Sequence, residues 1–107
     1  MIEIDYSQTF LKELKKLKKK FKNIDNDLKD FLIELKKNPE IGTPLGHSYH
    51  KVRLANSSIP TGKSGGFRII TYLVLNNKIF LVSIFSKTEK ENITNQELIN
   101  AISDIQE

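Results

Sequence analysis

FRIITYLVLNNKIFLVSIFS, residues 67–86, reads as two strands joined by a tight turn. FRIITYLVL is rich in β-branched and aromatic residues, which pack well on a pleated surface. Asn76-Asn77 supplies the turn, because asparagine tolerates the positive φ that two-residue hairpin connections need. KIFLVSIFS is apolar on both faces, so it belongs inside a sheet rather than at its edge. The rest of the chain is placed around that hairpin.

Immediately upstream, HKVRLANSSIPTGKSGG (residues 50–66) holds a third strand and a glycine-rich loop. With period-two alternation, Val52 and Leu54 point one way and Lys51 and Arg53 the other. A core takes the valine and leucine and leaves the two cations side by side on the opposite face. The loop adds Lys63, and the next strand opens with Arg68. Gly62, Gly65 and Gly66 permit positive φ and close backbone approach, and the amides around Lys63 and Ser64 suit an anion nest. Convergent cations beside exposed backbone suit a phosphodiester. A single-sign patch on a small sheet repels itself unless a polyanion fills it.

Toward the N-terminus, MIEIDY alternates apolar and acidic residues and reads as a short first strand. Ser7 is placed as an N-cap. Phe10, Leu14, Leu17 and Phe21 form one apolar stripe on the helix that follows. Lysines 12, 15, 16, 18, 19, 20 and 22 occupy much of the remainder, read as a solvated face that lacks aromatics for base stacking. Asn23 stops this helix. A second helix starts near Asp25, carries Leu28, Phe31, Leu32 and Leu35 on one face, and ends at Asn38-Pro39. Residues 40–49, EIGTPLGHSY, read as turn-rich and irregular. Near the C-terminus, Thr94-x-x-Glu97 matches a capping box, and Leu98, Ile102 and Ile105 supply the apolar face of a closing helix.

The expected architecture is a single α+β domain over residues 1–107, in the order β-α-α-β-β-β-α. The helical hairpin, residues 7–37, packs on one face of a small, mainly antiparallel sheet, with no helix on the other face. Leu14, Leu17, Phe31, Leu35, Val52, Ile69 and Val82 are expected in the core.

Composition narrows the function. A chain of 107 residues, 38% hydrophobic and 28% charged, has room for one modest core. A net charge of +4 favours an acidic partner, nucleic acid or protein. With no cysteine there is no disulfide, thiolate nucleophile or cysteine-ligated zinc, and His47 with His50 does not make a metal site. No signal peptide or membrane-length apolar stretch is visible, so the cytoplasm is expected. TGKSGG falls short of a P-loop: Ser57 stands where the pattern needs glycine, and a strand rather than a helix follows. His50 is either an ordinary loop residue or a proton-transfer group, since histidine titrates near neutral pH.

KVRLA, GKSGGFRIITY and the apolar strand running into SKTEKEN together resemble the RelE/ParE superfamily of toxins from type II toxin–antitoxin systems, nearest the HigB-like RelE branch. The resemblance extends over most of the chain, including the helical hairpin and its NPEIGTPLG exit. It implies a fold like that of a compact microbial ribonuclease. It also implies a ribosome-dependent, metal- and cofactor-independent mRNA endonuclease that inhibits translation. The partners implied are a cognate antitoxin, assembling as a heterotetramer in one form, and the ribosome with its message. By position, Lys51, Arg53 and Arg68 would hold the scissile phosphate, and Lys63, with Ser64, Gly65 and Gly66, would contact the RNA backbone. Lys87 would protonate the leaving 5′-oxygen or add positive charge. Some relatives use a tyrosine near the C-terminus as general base; this chain has none after Tyr72, which leaves Glu89, Glu91 and His50 as candidates. Many relatives also carry lysines where this chain has Ser57-Ser58-Ile59-Pro60. The alternatives are a ParE-like inhibitor of DNA gyrase that cuts nothing, and a protein-binding module without activity.

Overall fold

The computed structural model of the chain describes residues 2–59, 66–74, 77–90 and 92–103. Its elements are β1 (Glu3–Tyr6), α1 (Gln8–Lys20), α2 (Ile24–Lys37), β2 (Thr43–Gly46), β3 (Tyr49–Leu54), β4 (Phe67–Val74), β5 (Lys78–Ser86) and α3 (Asn95–Ser103). The strands form one sheet in the order β1-β5-β4-β3-β2. Among the described residues β1 and β5 pair in parallel and the other three strand pairs are antiparallel. The α+β class, the helical hairpin and the interior position of β5 are those expected.

Local chemistry sets the element ends. Ser7 caps α1 by accepting the Phe10 N–H at 3.0 Å, and the same hydroxyl donates to the Val82 carbonyl at 2.6 Å. Asn23 occupies the N-cap of α2, and α2 ends at Lys37, two residues before Pro39. The capping box at α3 is complete: the Thr94 N–H donates to Glu97 Oε1, and the Glu97 N–H to Thr94 Oγ1. Leu75, Asn76 and Ile105 lie outside the described residues, while Asn77 closes the β4–β5 turn with φ 60°.

Two expectations change. Residues 43–46 are not irregular but form β2, paired with β3. Gly42 makes this possible: its φ is 103°, and a Cβ there would lie 2.6 Å from the Lys51 carbonyl oxygen. Propensity did not signal this strand because its hydrogen bonds come from β3, which reaches it only through the turn at His47 and Ser48, both at positive φ. The second change concerns layers. One core lies between the helical hairpin and the sheet, with Phe10, Leu17, Phe31 and Leu35 against Val52, Ile69 and Ile84. A second, smaller core lies on the opposite face, where Ala101 of α3 packs with Ile70, Phe80, Val82 and Phe85. The sheet therefore carries helices on both faces, and Val82 belongs to the second core.

A bulge in β5 makes the two-faced packing work. Ile70 pairs with Ser83 but Thr71 with Leu81, so the ladder skips one residue of β5. Val82 and Phe85, three residues apart, thereby share the α3 face. The strand β1 covers only the Lys78–Leu81 half of β5. Among the described residues no helix is long and apolar enough to cross a membrane.

Candidate active site

Lys51 and Arg53 project from β3 on the face away from the helical hairpin, as alternation required, while Val52 and Leu54 are buried under it. Arg68 on β4 pairs directly with Arg53. Directly opposed residues have Cβ atoms about 5 Å apart, so two guanidinium groups start from neighbouring points on one face. Arg53 is exposed, whereas Arg68 is only 3% exposed. Arg68 Nη1 donates to the Phe67 carbonyl at 3.2 Å, which holds the head group against the sheet. Burial, and secondarily the Arg53 charge, push the Arg68 pKa below the usual arginine range. Arginine stays protonated even so.

Two further groups join the same end of the face. Lys87 is half-buried just beyond β5, its backbone N–H bound to the Gly66 carbonyl at 2.9 Å. Phe85 pairs with Arg68, and Lys90 lies over the Phe85 ring, 5.0 Å from its centroid, tethered to Glu97 of α3 at 2.5 Å. Lys90 escaped the sequence reading because nothing local ties residue 90 to strand position 85. The Lys90 ammonium in turn holds the Glu97 carboxyl below the usual carboxylate range.

The structure does not bring every expected residue to this face. His50 is 7% exposed and lies on the helical-hairpin side with Val52 and Leu54, opposite Thr71. Among the described residues its Nδ1 and the Thr71 hydroxyl have no hydrogen-bond partner. The signal was present: His50 has the same parity as Val52 and Leu54. Glu89 is exposed and pairs with Lys20 of α1 at 3.4 Å, beside a cleft of about 280 Å³ at the edge of β5. That is two strands from Arg53. Gly66 serves packing, since a Cβ there would meet the Leu54 carbonyl oxygen at 2.1 Å. Lys63, Ser64, Gly65 and Glu91 lie outside the described residues.

Glu13 is a group the sequence reading passed over. This carboxylate on the apolar side of α1 accepts the Ile84 N–H at 3.2 Å and the Ser83 hydroxyl at 2.7 Å. It thereby satisfies the part of the β5 edge that β1 does not reach. Burial pushes its pKa up, against the lowering effect of those two hydrogen bonds. A single acid three residues after Phe10 in a lysine-rich helix was the available sign. The phenol of Tyr49, on the cation face, is likewise pushed up by burial and by Tyr72, which disfavours it as a base at neutral pH.

Residues 8–105 match the family model described as the RelE toxin of the RelE/RelB toxin–antitoxin system. Among solved structures, a free doubly substituted mutant of the Escherichia coli toxin RelE superposes with a TM-score of 0.62 at 20% identity, covering 98% of each chain. The isolated E. coli RelE toxin gives 0.61 at 19% identity, covering 95% of this chain and 99% of that one. A chain of the intact E. coli RelBE toxin–antitoxin complex gives 0.59 at 23% identity, covering 78% and 94%. At these identities the likeness is one of fold. No curated protein matches the sequence significantly.

Proposed function

Because the chain belongs to the RelE family, the toxins of RelE/RelB toxin–antitoxin systems, we propose that it is a ribosome-dependent mRNA endonuclease held inactive by a cognate antitoxin. The observation that carries the reading is the convergence of Lys51, Arg53 and Arg68 on one sheet face, with Arg68 buried and directly opposite Arg53. The reaction is attack of a ribose 2′-oxygen on the adjacent phosphorus, with departure of the 5′-oxygen. It leaves a 2′,3′-cyclic phosphate and a 5′-hydroxyl. Charge builds on the phosphoryl oxygens in the transition state, and preorganised cations in a poorly hydrated site stabilise it most effectively. Arg68 meets that description, and its planar fork matches two phosphoryl oxygens at once. Lys87, at the end of the face, donates a proton to the leaving 5′-oxygen or adds charge. Of the three residues expected as base, His50 faces the helical-hairpin core and Glu89 pairs with Lys20 away from the cation face, which leaves Glu91 to take the 2′-hydroxyl proton.

An antitoxin suited to this toxin covers the cation face with acidic side chains or shifts α3, which borders the face through Lys90 and Glu97. The partner of E. coli RelE in its solved complexes is the antitoxin RelB. The deciding experiment is cleavage of a message on programmed ribosomes by the purified toxin. Wild type is expected to cut, Arg68→Ala to lose about a hundredfold to a thousandfold in rate, Arg68→Lys to fall between, and Lys19→Ala to match wild type. Uncut message with inhibited DNA gyrase would instead establish the ParE-like alternative.

A further inference from the structure

Tyr49 and Tyr72 stand in register on β3 and β4 and stack, with ring centroids 4.6 Å apart and 24° between their planes. Both are half-buried at the margin of the second core, on the face that carries Lys51, Arg53 and Arg68. The β2 residue paired with Tyr49 is Gly46, and a Cβ built there would find nothing within 4 Å. No side chain from that position covers the outer side of the Tyr49 ring. Along β3, Tyr49, Lys51 and Arg53 follow one another at steps of about 7 Å on one face. Sites for single-stranded nucleic acid are built this way, with cations tracking the backbone and aromatic rings taking the bases.

We infer that Tyr49, backed by Tyr72, is a base-stacking platform that receives a nucleobase of single-stranded RNA whose phosphates lie on Lys51, Arg53 and Arg68. The inference rests on the RNA-cleavage reading and adds to it a subsite that positions the strand. Stacking accepts any base, since every base has a π-face; the platform therefore distinguishes base-bearing RNA from bare ribose–phosphate and selects no particular sequence. If the pair only closed the second core, its substitution would lower stability without any dependence on the bases of a ligand.

The test is an NMR titration of the full chain with a short oligouridylate and with a fully abasic ribose–phosphate oligomer of equal length. The expected result is a shift of the Tyr49 and Tyr72 ring protons with oligouridylate and not with the abasic oligomer. Tyr49→Leu, which keeps apolar bulk but has no π-face, is expected to weaken oligouridylate binding about 5- to 150-fold and leave abasic binding unchanged. Tyr49→Phe is expected to bind as wild type does. Equal affinity of wild type and Tyr49→Leu for oligouridylate, or equal affinity of wild type for the two oligomers, overturns the platform. Programmed-ribosome cleavage by the same preparations scores the endonuclease reading separately. Cutting by Tyr49→Leu at the wild-type rate, with unmoved ring protons, removes the platform and leaves the endonuclease standing.

Discussion

Arg68 and Glu13 are both charged groups drawn out of water, and they illustrate opposite uses of burial. The Arg68 guanidinium is buried on the sheet directly opposite Arg53, and in the proposed reaction it is the group that meets the phosphate. The Glu13 carboxyl instead closes the β5 edge, and its ionised form is disfavoured by that burial. Its folded pKa lies above the ordinary glutamate range, so the stability it contributes is fully present below the pKa of the unfolded chain and is lost as pH rises through the folded pKa. Glu13→Gln can still accept the Ile84 N–H but cannot ionise. Urea unfolding of both proteins from pH 4 to 7 is therefore expected to favour the variant increasingly as pH rises; parallel curves would refute the assignment. Gly66 makes a second prediction at this scale. A methyl group there meets backbone, not a flexible side chain, so Gly66→Ala is expected to separate β4 from the end of β3. It should destabilise by about 1–3 kcal/mol, measured by thermal unfolding.

Among the elements, β5 has the most demanding position. Its first half is shielded by β1, and its second half is an edge that α1 seals with side chains. Ser7 does two jobs there, capping α1 and donating to the Val82 carbonyl in a buried setting. Ser7→Ala loses the cap and leaves a buried acceptor without its donor, an expected cost of about 1–3 kcal/mol. Hydrogen exchange at the Phe10 amide should accelerate more than that at Phe31, in the middle of α2; equal acceleration would mean that Ser7 acts only through global stability.

At the scale of the whole molecule, where the net charge is +4, cations are gathered in two places, a lysine-rich first helix and the cation face. Long-range attraction draws on both, but only closely opposed phosphates release counterions locally. The salt dependence of single-strand RNA binding separates the two. Lys51→Ala is expected to reduce the log–log slope by about 0.7, the value of one phosphate contact to a single strand, and Lys19→Ala to leave it unchanged. Equal slopes for the two variants would mean that charge acts diffusely. The core tolerates less. Phe31 is 2% exposed beneath the sheet, and Phe31→Ala is expected to cost about 3–5 kcal/mol in urea unfolding.

Sequence alone determined what depends on near neighbours along the chain. The Ser7 cap, the Thr94–Glu97 capping box, the break at Pro39, the two-sided apolar β5 and the outward pair Lys51–Arg53 all follow from interactions within a few residues, where spacing and residue type suffice. Even the inward direction of His50 was legible in the alternation of β3. Tertiary structure decided what depends on register and layering. Thr43–Gly46 became a strand because β3 supplied its hydrogen bonds, and the β5 bulge gave Val82 and Phe85 to the α3 face. Arg68 became the buried cation because β4 set it opposite Arg53, and the same pairing stacked Tyr49 on Tyr72. The last two pairs join residues 15 and 23 positions apart, and hydrophobic periodicity carries no information about which residue of one strand will face which residue of the next.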